Sequence, residues 1–400
     1  MKAYERFLNY AVIPTMSNEE SSTCPSTKKQ LKLAELLKNE LLELGLSDAR
    51  VDEFGYVYAS LPANCESEAV IGFIAHMDTS PDASDENIKP KLVKYEGGDI
   101  LLNEELNIYM KLSDYPYLQD YVGHTLITSD GTTLIGADDK AGIAEILTML
   151  EKLIDSNTPH GKICVAFTPD EEIGRGADKF DVEAFGADFA YTVDGGAIGE
   201  LEYENFNAAS AKVTVNGVSI HPGSAKGKMK NAARIALEFN SLLPEDEIPE
   251  RTSGYEGFHH LTSMSGEVEL AKLSYIIRDH DMKKFEEKKA EFIRCADIIN
   301  ERYGEGVLQL EISDSYYNMK EKIEPCMYII ERAKNAMRKL GITPVISPIR
   351  GGTDGARLSF MGLPCPNLST GGENFHSRFE FVSVEAMEKI SDILLEIATV

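Results

Sequence analysis

Basic residues are in short supply in this sequence, and they are not clustered. The 400 residues contain 40 Lys and Arg against 66 Asp and Glu, which gives a formal net charge of −26. A nucleic-acid-binding protein needs a basic stripe that neutralises phosphates and releases counterions. In this sequence Lys and Arg form only short clusters, such as Lys283 and Lys284. We therefore expect no nucleic-acid partner. The excess of acid can in part serve to bind cations.

Paired cysteine motifs, long apolar runs and repeats are also missing. The six cysteines are scattered and none stands in a CxxC spacing: Cys24, Cys65, Cys164, Cys295, Cys326 and Cys365. Scattered thiols fit a reducing compartment, so we expect a cytoplasmic protein. No stretch approaches the ~18 apolar residues of a membrane span, and Glu5, Arg6 and Asn9 interrupt the N-terminal segment, which argues against a signal peptide. We expect no membrane partner.

Short apolar runs alternate with helical patterns in the first half of the chain, and helical patterns return near its end. Three runs are typical of strands covered on both faces: AVIGFIA at 69–75, KICVAF at 162–167 and FAYTV at 189–193. Residues 51–60 alternate like a strand. Helical patterns lie at 28–44, 141–153, 324–340 and 384–397. This interleaving predicts an α/β fold in which helices cover both faces of a sheet.

Residues 208–320 have a different order of predicted helices and strands. The predicted order is strand 211–216, helix 231–243, strands 266–270 and 271–279, helix 282–303 and strand 307–313. This β-α-β-β-α-β order is the ferredoxin-like pattern. We therefore predict one discontinuous domain, 1–207 with 321–400, and an inserted ferredoxin-like α+β domain, 208–320.

Cation-binding residues follow each of the three apolar runs. The runs lead into His76-Met77-Asp78, Asp170-Glu171-Glu172 and Asp194-Gly195-Gly196. Ligands of open α/β sheets bind beyond the carboxyl ends of the strands. Two further pieces carry similar residues: GADDK at 136–140 and GGENFH at 371–376.

Each piece alone has an ordinary structural explanation. His76 and Asp78 can form a hydrogen-bonded pair, Asp138 can cap a helix, and Asp194 before two glycines can belong to a turn. Glu171 and Glu172 can be solvated acids, and His376 can be a surface histidine. All five pieces together, at strand ends, favour a single metal centre.

Eight segments together resemble the M20 metallopeptidase family. They are HMDT at 76–79, GADDKAGIAEI at 136–146, PDEEIGRGA at 169–177, VDGG at 193–196, HPGSAKGKMKNA at 221–232, IIRDHD at 276–281, RGGTDGA at 350–356 and NFHSRFEF at 374–381. The resemblance covers nearly the whole chain, with no departure at a matched position. It implies a zinc-exopeptidase-like catalytic domain, a mixed sheet between helices, with the inserted domain serving as a lid and for homodimerisation.

The resemblance also implies the metal ligands. They are His76, Asp138, Glu172, Asp194 and His376, and they hold two Zn²⁺ per chain, for which Co²⁺ or Mn²⁺ can substitute. Asp138 bridges the ions, His76 and Asp194 complete one site, and Glu172 and His376 complete the other. Imidazole and carboxylate are ligands that zinc accepts. A cis peptide bond between Asp138 and Asp139 is implied as well.

Catalytic and substrate-binding residues are implied at six further positions. Glu171 takes a proton from the metal-bridging water, and we expect it to point away from Glu172 if the segment is extended. Asp78 accepts a hydrogen bond from the ring of His76. His221 is an oxyanion donor. The remaining residues hold the peptide backbone and its C-terminal carboxylate: Asn231, Arg278 and Arg350.

The implied activity is removal of the N-terminal residue from short peptides, chiefly tripeptides. A dipeptidase, an N-acyl-amino-acid amidohydrolase or a carboxypeptidase can use the same metal core, because specificity lies in the outer parts of the site. A catalytically inactive peptide-binding module is a further alternative. The presence of Glu171 and of all five ligand positions argues against it.

Overall fold

The computed structural model describes residues 1–66 and 69–399 and divides into two compact units. Unit 1 comprises Met1–Tyr203, Glu321–Ser347 and Thr353–Val400, and unit 2 comprises Glu204–Lys320 and Pro348–Gly352. Unit 2 thus begins a few residues before the predicted boundary and takes in a short segment placed in the first domain by the sequence. That segment is tied to unit 2 because the amide of Ile349 donates to the carbonyl of Glu204 at 2.8 Å.

The helices and strands are numbered in chain order. The helices are α1 Ala3–Ala11, α2 Gln30–Glu43, α3 Ala137–Ser156, α4 Val182–Phe185, α5 Ala232–Leu242, α6 Met282–Tyr303, α7 Lys320–Ile323, α8 Tyr328–Lys339, α9 Asp354–Phe360 and α10 Val384–Ala398. The strands are β1 Arg50–Val51, β2 Val57–Leu61, β3 Ile71–His76, β4 Lys91–Lys94, β5 Ile100–Asn103, β6 Ile108–Met110, β7 Thr125–Thr128, β8 Ile163–Thr168, β9 Phe189–Gly195, β10 Glu200–Glu202, β11 Asn207–Asn216, β12 Phe258–Gly266, β13 Leu270–Asp279, β14 Leu308–Tyr316, β15 Val345–Ile346, β16 Asn367–Ser369, β17 Gly372–Glu373 and β18 Phe381–Ser383.

Unit 1 is built on a mixed eight-stranded sheet. Its order is β1-β2-β8-β3-β9-β16-β10-β15, and the four central strands β8, β3, β9 and β16 run parallel. Every residue of β3 and β8 is buried. Helix α3 packs on β3 and β9, while α1 and α10 pack on α3. The predicted α/β class and its mixed sheet are confirmed.

A second, antiparallel sheet of unit 1 was not predicted from the sequence. Its order is β17-β18-β7-β4, so it joins strands from distant parts of the chain. Strands of two to four residues carry too little periodicity to be recognised locally. Among residues 1–66 and 69–399, no helix combines the length and the apolar character needed to cross a membrane.

The single strand predicted at 51–60 is wrong. The segment forms a hairpin in which β1 and β2 are joined by a turn. The Oδ1 atom of Asp52 accepts the amides of Phe54 and Tyr56 at 2.9 Å, and Gly55 has a φ of +87°. An Asp that binds nearby amides, followed by a left-handed glycine, is a turn signal that the alternation concealed.

Unit 2 is an antiparallel sheet packed against α5 and α6. Its strand order is β12-β13-β11-β14, and its core includes Val213, Phe239, Leu273 and Phe292. The chain order β-α-β-β-α-β is the predicted one. The predicted strand at 266–270 is wrong, because β12 ends at Gly266 and the following turn leads into β13.

Candidate metal centre

The carboxyl ends of the parallel strands bring the five predicted ligand residues together in unit 1. Strand β3 ends at His76 and β9 contains Asp194, while Glu172 follows β8 and His376 follows β16 and β17. Among the described residues, two groups have ligand atoms that all lie within 4.8 Å of one another. They are His76, Asp138 and Asp194, called here the inner group, and Asp138, Glu172 and His376, called the outer group. Asp138 belongs to both.

The inner group is largely buried, with Asp138 and Asp194 exposed by 13% and 12%. The Nε2 atom of His76 lies 2.8 Å from Oδ1 of Asp138 and 3.4 Å from Oδ1 of Asp194, and the His76 side chain is 2% exposed. Burial alone would lower the pKa of His76, but the charge of Asp194 and the hydrogen bond with Asp138 raise it well above its usual value. Burial raises the pKa of Asp194 to about 6.

The outer group is more open. The Nε2 atom of His376 lies 2.7 Å from Oε2 of Glu172 and 3.3 Å from Oδ2 of Asp138. The side chain of His376 is 43% exposed, whereas that of Glu172 is 2% exposed. Hydrogen bonds with Asp138 and Glu172 raise the pKa of His376 to about 11, and burial together with the charge of Asp138 raises that of Glu172 to about 8.

The residues of both groups fit divalent cations. Imidazole nitrogen and carboxylate oxygen form the donor set that zinc and similar ions take in proteins. The buried Oε1 atom of Glu172 has no hydrogen-bond partner among the described residues, and an unsatisfied buried carboxylate oxygen is costly. Three carboxylates in one place repel each other, and two cations would offset that repulsion.

Asp138 lies in the first turn of α3, where the backbone is not helical. The peptide bond between Asp138 and Asp139 is cis, as the resemblance implied, and neither residue has helical backbone angles. The helix is capped by Asp139 and not by Asp138, because Oδ1 of Asp139 accepts the amide of Gly142 at 3.2 Å. Its Oδ2 accepts the backbone amide of His76 at 3.0 Å. A Cβ on Gly142 would lie 2.0 Å from the carbonyl oxygen of Val193, so only glycine permits this close approach.

Asp78 contacts the ring of His76, as predicted, and also holds a second segment of the site. The Nδ1 atom of His76 lies 3.0 Å from the backbone oxygen of Asp78 and 3.4 Å from its carboxylate. The Asp78 carboxylate also accepts the amides of Glu171 at 2.9 Å and Glu172 at 3.2 Å. Asp78 thus couples the end of β3 to the segment after β8.

Glu171 lies in a 3₁₀ turn, Glu171–Ile173, and not in the extended segment assumed from the sequence. Successive residues of a 3₁₀ turn point about 120° apart, so Glu171 and Glu172 still diverge. Burial and the charge of Asp194 raise the pKa of Glu171 well above its usual value. The turn is fastened at Asp170, whose carboxylate accepts the amide of Ser26 at 2.6 Å and the side chain of Gln30 at 2.7 Å. Sequence reasoning missed this contact, because Ser26 and Gln30 belong to no motif.

The four predicted substrate residues all lie in unit 2. His221 is exposed, and its Nδ1 accepts the amide of Gly223 at 3.2 Å. Asn231 caps α5 by accepting the amide of Arg234 at 3.1 Å. The remaining two are arginines.

Arg278 and Arg350 differ in how far their guanidinium groups are engaged. Arg350 donates to the carbonyls of Gly254 at 2.6 Å and Glu256 at 3.1 Å, so much of its donor capacity is used within unit 2. Arg278 donates from Nη1 to the carbonyl of Arg350 at 3.0 Å. Its buried Nε has no hydrogen-bond partner among the described residues.

A mixed α/β sheet, with His and carboxylate groups at the carboxyl ends of its parallel strands, defines a class: the α/β proteins with a candidate two-cation centre. The chain belongs to peptidase family M20/M25/M40, whose model matches residues 127–399. It is 58% identical over 398 residues to Peptidase T of Alkaliphilus oremlandii, covering 98% of this chain and 97% of that protein. It is 59% identical over 396 residues to Peptidase T of Desulfitobacterium hafniense, covering 98% and 96%.

A solved structure supports the fold. The aminopeptidase PepT from Bacillus cereus superposes with a TM-score of 0.79 at 24% identity, covering 99% of this chain and 97% of that one. The match extends over both units of this chain.

Proposed function

We propose that the protein is a metal-dependent aminopeptidase that removes the N-terminal residue from short peptides, chiefly tripeptides. The observation that carries the proposal is the sharing of Asp138 between two His-and-carboxylate groups, with Glu171 beside them. The similarity to proteins named Peptidase T, at 58–59% identity over nearly the full chain, supports the choice of substrate class.

The inner and outer groups would each hold one Zn²⁺, with Co²⁺ or Mn²⁺ as possible substitutes. When bound, the two ions supply Lewis acidity, which polarises the scissile carbonyl and makes a water more acidic. The contribution of the chain is to keep His76 in the tautomer whose Nε2 can bind the ion of the inner group. The backbone oxygen of Asp78, 3.0 Å from Nδ1, favours that tautomer.

Glu171 would act as the general base. Its carboxylate would take a proton from the attacking water and deliver it to the leaving amine, so the same group serves as base and then as acid. Burial and the charge of Asp194 raise its pKa, and a raised pKa makes the carboxylate a stronger base. Asp78 holds the amide of Glu171 and so fixes the turn from which the side chain projects.

Four residues of unit 2 would contact the substrate: His221, Asn231, Arg278 and Arg350. We assign His221 to the developing oxyanion, since it is exposed and its Nε2 is free to donate once Nδ1 accepts from Gly223. Arg278 is the better of the two arginines for a peptide carboxylate, because among the described residues its guanidinium makes fewer hydrogen bonds than that of Arg350.

We also propose a homodimer formed through unit 2. Strand β12 is an edge strand whose sequence, FHHLTSMSG, has no Lys, Arg, Asp or Glu, and residues 262–266 are exposed. The opposite edge strand, β14, carries Glu311 and Asp314. Proteins usually protect free edges with charge, so an uncharged edge suits pairing with a second copy. Ser263→Lys should then yield monomers in sedimentation experiments.

A reducing compartment such as the cytoplasm suits the six cysteines, all of which are free.

Substrate panels test the proposed activity. The purified protein should cleave tripeptides faster than dipeptides or longer peptides, should leave N-acetylated tripeptides intact, and should lose activity with a chelator. Metal analysis should find about two ions per chain. Equal cleavage of blocked and free N-termini would favour an acyl-amino-acid hydrolase instead, and release of the C-terminal residue would favour a carboxypeptidase.

A further inference from the structure

The turn that carries Asp138 is held by a carboxylate from the far end of the sequence. Oε2 of Glu380 accepts the amides of Ile135 at 2.9 Å and Gly136 at 2.8 Å, and Oε1 accepts the amide of Asp138 at 3.0 Å. The side chain of Glu380 is buried. Both of its oxygens are therefore used, and all three donors belong to the turn.

Glu380 is also linked to the outer group through its own segment. It lies four residues after His376, and its amide donates to the carbonyl of Ser377 at 3.1 Å. The next residue, Phe381, begins β18, which pairs with β7 and β17. One carboxylate thus connects the His376 loop, anchored by a sheet, to the turn that presents the shared Asp138.

The choice of a glutamate at this place has a physical reason. Charge-assisted hydrogen bonds from backbone amides to a carboxylate are stronger and shorter than neutral ones. A glutamine has only one acceptor oxygen. Its NH₂ group would take the place of the second carboxylate oxygen, so that two donors would face each other. A neutral amide therefore cannot satisfy Asp138 and the Ile135–Gly136 pair at once.

We infer that Glu380 is a positioning residue for the metal centre, one that holds the backbone of the shared Asp138 in place relative to the His376 loop. The inference rests on the proposed two-metal function. Glu380 touches neither a substrate nor a proposed ligand side chain; it acts through the backbone of the residue that the two groups share.

Cobalt binding tests the inference without relying on turnover. The wild-type chain, Glu380→Gln and Glu380→Asp would be titrated with Co²⁺, recording the visible absorption bands that report cobalt coordination. We expect the wild type to bind about two ions, and Glu380→Gln to bind them about 10- to 100-fold more weakly, the usual effect of losing a group that orients a ligand. Its cobalt bands should shift, and kcat should fall more than KM rises. Glu380→Asp, which keeps the charge on a shorter arm, should be intermediate.

Asp85→Asn is the matched control. Asp85 is another buried carboxylate, which accepts the amides of Thr15 and Met16 at 2.7 Å, but it belongs to neither metal group. Its variant should lose thermal stability while keeping the wild-type cobalt bands. If Glu380→Gln behaves in the same way, Glu380 only stabilises the fold and the inference is overturned. If Glu380→Gln does not fold, the decision passes to Glu380→Asp, for which wild-type bands and affinity would overturn it.

The same titration separates this inference from the proposed function. A wild-type chain that binds no cobalt overturns both. If the wild-type chain binds about two ions and the Glu380 variants show the same cobalt affinity and absorption bands, only the role of Glu380 is overturned.

Discussion

The inner and outer groups use the same kinds of ligand but are built on different supports. His76 and Asp194 of the inner group lie in neighbouring parallel strands of a fully packed sheet. In the outer group, Glu172 lies in a 3₁₀ turn, and His376 lies in a loop with a φ of +59° and a half-exposed ring. Ligands on strands are held more rigidly than ligands on loops. We therefore expect a tightly held inner ion and a more exchangeable outer ion.

Removing the shared ligand should have the largest effect. Asp138→Asn takes a carboxylate from both groups, so metal content should fall from about two ions per chain to a small fraction, with activity reduced to background. Metal analysis after dialysis measures this. Asp155→Asn, at an exposed position near the end of the same helix, is the control and should keep both ions. Retention of one tight ion in Asp138→Asn would show that the two groups do not depend on a common ligand.

Glu171 belongs to neither group, so changing it separates chemistry from metal binding. Glu171→Gln should keep about two ions and lose turnover by about 10²- to 10⁴-fold, the range for loss of a general base. Stopped assays with a tripeptide and metal analysis of the same sample check both parts. A variant with near-normal turnover would place the base elsewhere.

The two histidines provide a matched pair. His76→Ala and His376→Ala should each weaken one ion, with a larger loss for the buried His76. Added imidazole should restore part of the activity of His376→Ala, because that position is 43% exposed, but little of His76→Ala, because that position is 2% exposed. Rescue of both variants to the same extent would remove the distinction between the groups.

The pH dependence of metal binding should be the smallest difference. Before a cation binds, Glu172 has a pKa of about 8 and His376 of about 11, so at neutral pH an outer ion displaces two protons. The inner ion displaces one, from His76, since Asp194 has a pKa of about 6 and is mostly ionised.

Affinity must therefore fall as pH falls, because protons compete with the metal. From about pH 7.5 to 6.5 the loss should be about 100-fold for the outer ion and about tenfold for the inner ion. Competition titrations at several pH values measure both slopes. Equal slopes would mean that the groups carry the same number of protons.

The contrast between the groups also shows where sequence reasoning succeeded. The strands before His76 and Asp194 were recognisable because each is a short, continuous apolar run, and a parallel sheet sends its carboxyl ends to one edge. The 3₁₀ turn at Glu171 was not recognisable, because it follows Asp170, which has a φ of +61° and whose carboxylate binds Ser26 and Gln30, residues distant in the sequence.

The sequence by itself determined the α/β class, the order of elements in the insertion and the residue types that gather at the sheet edge. Local periodicity and chain order are sufficient for these features. The tertiary structure alone decided how the ligands are held: the carbonyl of Asp78 against His76, Asp139 rather than Asp138 as the helix cap, and Glu380 beneath the turn. The physical reason is that a hydrogen bond such as that from Ile135 to Glu380 joins residues 245 positions apart, and its geometry exists only once the sheet has assembled.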